Sequence, residues 1–282
     1  MDADSNREHA AVLITGASRG LGLGLACVLA SQKVPVVVTA RNGRSLARVA
    51  ATLAHHAPVV AVEADAADPA AMHEALQAAR RLGPLQGLVN NAGLLEPIGP
   101  IDQIDLGAFE AALRTNITGV LVGMRMALCH LPRGPALRIL NVSSGAATHP
   151  YAGWAAYCAS KAAVGMLTSV AATEQSTRSD LSIIAVAPGV IETAMQRAIR
   201  NAPPEAFPEQ HKFVQLKLSG ALLHPVHAAV ALDWLVRFSP LAWSGRTLDA
   251  RSDEVLVPAR EHGASLGACI AQAIQWFEQL EP

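Results

Sequence analysis

The run GWAAYCASKAAVG, residues 153–165, is rich in alanine and reads as a buried helix, yet it carries Tyr157 and Lys161 four residues apart. Four residues is about one helical turn, so the phenol and the ammonium share a face. A phenol with its ordinary pKa of ~10 is a poor proton shuttle at neutral pH, and a cation nearby favours the phenolate. The pair therefore suits acid–base work in which the lysine tunes the tyrosine. Taken alone, Y-x-x-x-K also describes a helix with a buried Tyr and a snorkelling Lys. Thirteen residues before Tyr157, Ser144 closes the run ALRILNVSS (136–144). Strand carboxyl ends are where open α/β sheets hold their chemistry.

A second constellation lies near the start. The run AAVLIT leads straight into TGASRGLG (15–22), and a helical stretch follows. Glycines there permit a tight turn, let backbone N–H groups approach a phosphate and aim a helix N-terminus at the anion. An NAD site usually places an acid on the ribose 2′-hydroxyl near the end of the second strand. Here that strand ends VVVTARNGR, and no Asp or Glu occurs from His9 to Val62. Arg41 instead stands where a 2′-phosphate would lie, and Arg19 in the glycine loop can join it; a guanidinium fork suits phosphate. Missing acid and present bases together favour NADP(H).

These residues need a frame. Short apolar runs at 10–15, 34–40, 58–64, 85–92, 136–144 and 181–189 read as strands buried on both faces, with helical stretches at 20–31, 43–56, 69–82, 105–130 and 153–178 between them. That alternation predicts βαβ units and a doubly wound α/β sheet of Rossmann type, with helices on both faces in one domain. SGRTLDA (244–250) adds a seventh strand. The segment 190–225 breaks the rhythm, and Pro203, Pro204 and Pro208 argue against one continuous helix. Lying after the sixth strand, at the carboxyl edge, it reads as a substrate lid. The reductase domain is expected over 10–252. Residues 1–9 are polar and expected to be disordered, with no signal-peptide layout.

Composition narrows the function. Net charge is −1, with 22 Lys and Arg against 23 Asp and Glu and no basic block, which argues against nucleic-acid and membrane-surface binding. No apolar run approaches the length of a membrane span. The four cysteines (Cys27, Cys129, Cys158, Cys269) are scattered and read as reduced core thiols of a cytoplasmic protein. His224 and His227 lack further ligands and read as surface histidines, so no metal is expected.

TGASRGLG, EADAAD (63–68), NNAG (90–93), RTNITG (114–119), NVSS, YCASK and APGVIET (187–193) occur in the order and spacing of the short-chain dehydrogenases/reductases. The sequence resembles the single-domain branch of that family along nearly all of 10–250. The resemblance implies that Tyr157 protonates the nascent alkoxide in carbonyl reduction and that Ser144 holds the substrate oxygen. Spacing to Tyr157 favours Ser144 over Ser143. It further implies that Lys161 lowers the tyrosine pKa and binds the nicotinamide ribose, and that Asn116 anchors a water linking Lys161 to solvent. Gly16, Ser18, Arg19 and Leu21 would contact the phosphates or adenosine ribose. Asp65 and Ala66 would flank adenine, Asn91 would lie along the cofactor, and Pro188, Ile191 and Thr193 would hold the nicotinamide end.

Within the family, ETAMQ (192–196) and LKLSGALLHPVHAAVALDWL (216–235) resemble the sepiapterin and benzil reductase group, which reduces ketones beside a second oxygen function. A small-molecule vicinal dicarbonyl or α-hydroxyketone is the implied substrate. Sepiapterin reductases place an aspartate near Ser252, so a pterin is less expected. A 3-oxoacyl-thioester reductase and a non-catalytic NADP-binding regulator are the alternatives; the full Asn/Ser/Tyr/Lys set speaks against the second. The family implies a homodimer or homotetramer, often through 105–130 and 153–178. The tail 253–282 exceeds the usual family ending and reads as helical, with Ile270, Ile274 and Phe277 on one side. It can cover the substrate mouth, meet a partner subunit or cap the core.

Overall fold

A computed structural model describes residues 10–131 and 136–281; the expected disorder of 1–9 lies outside the described residues. Seven parallel strands form one sheet in the order β3-β2-β1-β4-β5-β6-β7. They are β1 (Ala11–Thr15), β2 (Val36–Ala40), β3 (Val59–Glu63), β4 (Leu85–Asn90), β5 (Leu137–Val142), β6 (Leu181–Ala187) and β7 (Thr247–Asp249). β1, β2, β4, β5 and β6 are buried along their whole length, as largely apolar strands are; β3, expected to be buried as well, lies at the sheet edge and is only partly covered. Strand order reverses between β1 and β4. That reversal opens a crevice at the carboxyl edge, where open α/β sheets take their ligands.

Helices cover both faces. One layer holds α1 (Gly20–Ser31), α2 (Gly43–Leu53) and α9 (Pro225–Phe238); the other holds α3 (Pro69–Leu82), α5 (Gly119–His130) and α6 (Ala155–Glu174). Asn42 and Asp68 cap α2 and α3 by accepting from Ser45 N and Ala70 N, each at 2.9 Å, which satisfies N–H groups that the helix leaves free. Gly24 lets α9 pack close on α1, since a Cβ there would fall 2.9 Å from the Pro225 carbonyl.

The helix expected over 105–130 is interrupted. α4 (Leu106–Leu113) passes into a π-turn, Arg114–Thr118, before α5 begins. Asn116, inside that turn, binds the backbone of Leu94 from outside the helix, a long-range demand that helical periodicity does not register. Segment 190–225 forms α7 (Ala194–Asn201) and α8 (Gln210–Leu218), separated by the proline-bearing stretch. A bridge between Ile191 and Leu223 brings its two ends together.

The tail folds into α10 (Asp253–Ser265) and α11 (Gly267–Leu280). Trp276, Phe277 and Leu280 join the core of the α1–α9 layer, with Ile270 and Ile274 packed against it. The tail therefore caps the core. It also explains α1, whose sequence GLGLGLACVLAS has no polar face and which is buried from Gly20 to Ala30.

Candidate active site

The glycine loop leaves β1 at Thr15 and enters α1 at Gly20. Gly16 has φ +67°, and a Cβ there would lie 2.8 Å from Ala92 Cα, so only glycine fits. The loop is tied to β4. Thr15 Oγ1 accepts from Asn91 N and Ala92 N at 3.0 and 3.1 Å, and Asn91 Nδ2 donates to Thr15 O and Gly16 O at 2.9 and 3.1 Å. The Asn91 side chain thus staples the loop rather than projecting from it. Thr15 shares that task, a role that motif reading missed.

Ser18 is half-buried, Leu21 is buried and Arg19 is exposed around the start of α1. At the end of β2, Arg41, Asn42, Gly43, Arg44 and Glu63 line an open depression of about 520 Å³. Glu63 is the surprise there. It lies one residue beyond the acid-free span, and the register that pairs Ala40 with Glu63 carries it beside the β2 terminus. Asp65 accepts from Ala67 N at 2.9 Å and pairs with Arg114 at 3.0 Å. The Ala67 amide and the Arg114 and Arg41 charges hold its pKa low against the burial that raises it. Ala66 beside it is buried.

The catalytic candidates meet where β5 and α6 converge. Lys161 Nζ lies 5.6 Å from the centroid of the Tyr157 ring, as spacing of one turn requires. The Ser144 hydroxyl neighbours the Tyr157 phenol closely enough to lower its pKa and accepts from Ala146 N at 3.2 Å. Ser143 turns the other way, donating to the Lys161 carbonyl at 3.4 Å. Both titratable groups are buried, and burial dominates them. It raises the Tyr157 pKa above its ordinary value, with the Ser144 hydroxyl pulling it back. It lowers that of Lys161 to about 8. Desolvation of the buried phenol, and not the neighbouring lysine, is the largest influence on Tyr157.

Asn116 is fully buried, and its side chain is spent on structure. Its Oδ1 accepts from Leu94 N at 2.7 Å, and its Nδ2 donates to Leu94 O at 2.8 Å and Ser160 Oγ at 2.9 Å. A Cβ built on Gly93 would lie 3.5 Å from Asn116 Oδ1 and 3.7 Å from Lys161 Nζ, so Gly93 keeps the space between them open.

After β6, Pro188 and Ile191 lead into the segment 190–225, and Thr193 caps α7 by accepting from Gln196 N at 3.4 Å. Thr193 also faces the glycine loop, its Cγ2 3.4 Å from a Cβ built on Gly20. An aromatic group adjoins Tyr157. Trp154 stacks on Phe207 at 4.5 Å and meets Tyr157 edge-on at 5.7 Å, with Tyr151 and Phe213 alongside. Ser252 precedes α10 and turns its hydroxyl back onto the Asp249 carbonyl at 2.7 Å. The carboxylate at this end of β7 is Asp249, gripped by Arg251 Nε and Nη2 at 2.9 and 2.6 Å. The Arg251 stem crosses Gly189, 3.6 Å from a Cβ built there, opposite Leu223. His224 caps α9 by accepting from Val226 N at 3.2 Å. Among the described residues no cluster of His, Cys, Asp or Glu can hold a metal, and no helix is long and apolar enough to cross a membrane.

Comparison with known proteins agrees with this fold. The short chain dehydrogenase family profile matches residues 10–204. Benzil reductase ((S)-benzoin forming) of Bacillus cereus is 31% identical over 229 residues, covering 78% of this chain and 91% of that one. Sepiapterin reductase of Meriones unguiculatus is 32% identical over 230 residues, covering 76% and 86%. A short chain dehydrogenase from Burkholderia cenocepacia J2315, solved in complex with NADP, superposes with a TM-score of 0.71 at 28% identity over 86% of this chain and 97% of that one. By that family profile and these relatives, the chain belongs to the short-chain dehydrogenase/reductase family.

Proposed function

We propose that this oxidoreductase is an NADPH-dependent carbonyl reductase acting on small vicinal dicarbonyls or α-hydroxyketones. The observation that carries the reading is the meeting of Ser144, Tyr157 and Lys161 at the carboxyl edge of the sheet. The bound nicotinamide cofactor supplies the hydride. Everything else is this chain's task. Ser144 and Tyr157 hydrogen-bond the substrate oxygen, and Tyr157, kept protonated by burial, gives its proton to that oxygen. Lys161 gives up a proton more readily than an ordinary lysine and can restore that of the tyrosine. Asn116 acts as a positioning residue, holding Leu94 and hence the opening at Gly93 beside Lys161.

The residues fit a dinucleotide phosphate. The loop at Gly16 excludes side chains; Gly16, Ser18 and Arg19 lie in the turn that leads into α1, and Leu21 in its first turn. Arg19 and Arg41 are exposed there to meet a 2′-phosphate, with Glu63 the acid opposing them. Asp65, Ala66 and Asn91 border the adenine and ribose, and Pro188, Ile191 and Thr193 the nicotinamide end.

Segment 190–225 serves as the lid, bringing Phe207 and Phe213 onto Trp154 and Tyr151. That aromatic wall favours an aryl or alkyl diketone. A pterin is disfavoured because Arg251 already neutralises Asp249 after β7. Leu121 on α5 and Met166 and Val170 on α6 are exposed and apolar, which supports a homo-oligomer through these helices. Four free thiols suit the cytoplasm. Initial rates with benzil test the reading: it requires NADPH oxidation, with NADPH preferred to NADH. Reduction of 3-oxoacyl thioesters alone would overturn the substrate class.

A further inference from the structure

The last turn of α11 ends beside the first turn of α1. Glu281 N donates to the Phe277 carbonyl at 2.8 Å, which holds Glu281 against the helix end. Phe277 and Leu280 anchor that end in the core, and Arg48 Nη2 reaches the Gln279 carbonyl at 3.4 Å. From there Glu281 Oε2 accepts from Gly20 N at 2.8 Å. Gly20 opens α1, whose N-cap, Arg19, makes no side-chain capping bond and whose first turn holds no acid of its own. The carboxylate that meets this positive helix end comes from 261 residues away. Its charge is felt further along the helix, since burial and Glu281 together push the Cys27 thiol up to about 12.

We propose that Glu281 sets the affinity of the glycine loop for its phosphate-bearing cofactor, lowering it by holding a carboxylate on the Gly20 N–H at the same helix end that receives the phosphates. A helix N-terminus stabilises one anion through its free N–H groups and dipole. Glu281 takes part of that stabilisation, and its charge opposes the phosphates. Because coupling between two sites is reciprocal, bound cofactor in turn weakens the hold of the α11 terminus on the loop. The tail is thereby more than a cap on the core. It links the C-terminal helix to cofactor occupancy.

The inference rests on the dinucleotide reading of the loop, so NADPH binding to the unaltered protein is measured first, by the change in cofactor fluorescence. Absence of binding overturns that reading and this inference together. Given binding, Glu281→Gln removes the charge and keeps an acceptor oxygen, while Glu281→Ala removes both. Both variants should bind NADPH about 2- to 10-fold more tightly at low salt, the scale of a charge at a helix terminus. The gain should shrink at about 0.5 M salt, where screening is strong. Unchanged or weaker binding in Glu281→Gln, or a gain indifferent to salt, would overturn the proposal. Weaker binding in Glu281→Ala with no gain in Glu281→Gln would mean that the contact only braces the loop, and would overturn it equally.

Discussion

Lys161 Nζ donates to the Val142 carbonyl at 2.8 Å, joining α6 to the last residue of β5. The bond holds a buried ammonium where solvent does not reach, and its pKa falls to about 8 from 10.5. Between those two values an unfolded chain binds a proton at this lysine that the folded chain has released. Stability from this group therefore rises as pH climbs from 8 towards 10.5, and is lost again as pH falls through 8. Lys161→Met lacks the effect. Urea unfolding of both proteins across that window should show the natural protein gaining on the variant; parallel curves would contradict the assignment.

Asp233 is fully buried on α9 and ties three helices together. It accepts from Nε2 of Gln32, the residue that ends α1, at 2.7 Å, from Arg237 Nη1 at 3.2 Å and from His262 Nε2 of α10 at 2.7 Å. These partners hold its pKa low despite burial. The stability it contributes is present above the ordinary carboxylate range and disappears as pH falls through its folded value. Asp233→Asn leaves Arg237 facing a neutral group in a closed site, and should cost about 3 kcal/mol by denaturant unfolding at pH 7. A loss under ~1 kcal/mol would place the anchoring of the tail elsewhere.

After β7, Arg251 neutralises Asp249 through two charge-assisted hydrogen bonds, at 2.9 and 2.6 Å. Freed of it, Asp249 can accept from the donor edge of a pterin, and a buried or half-buried donor without a partner is what a pocket penalises most. Arg251→Ala should therefore raise kcat/KM for sepiapterin relative to benzil, by about 10-fold for one charge-assisted bond. An unchanged ratio would show that this pair does not set substrate choice.

Much of this was legible in the chain. The Val- and Ile-rich runs became β1 to β6 within a residue or two, but β3, expected to be buried on both faces, is an edge strand and only partly buried. The prolines 203, 204 and 208 did separate α7 from α8. Tyr157 and Lys161 needed only helix geometry to meet. What failed had non-local causes. The π-turn at Arg114–Thr118 depends on Asn116 reaching Leu94 and Ser160. Glu63 joined the arginine-lined depression through strand pairing, not through proximity in sequence. Burial, which raises the Tyr157 pKa, is a product of packing that residue spacing does not carry. One overlooked signal was present: α1 has no polar face, which a helix covered only by the sheet would show.

Tyr157 is proposed to be the proton donor of an NADPH-dependent reduction, and loss of its hydroxyl alone is the decisive change. Tyr157→Phe keeps the ring that meets Trp154 and removes only the phenolic oxygen beside Ser144. With NADPH and benzil, kcat should fall about 10²- to 10⁴-fold, the usual loss for a general acid, while the Kd for NADPH by fluorescence titration stays near that of the natural protein. A variant that turns over benzil at an ordinary rate would contradict the account.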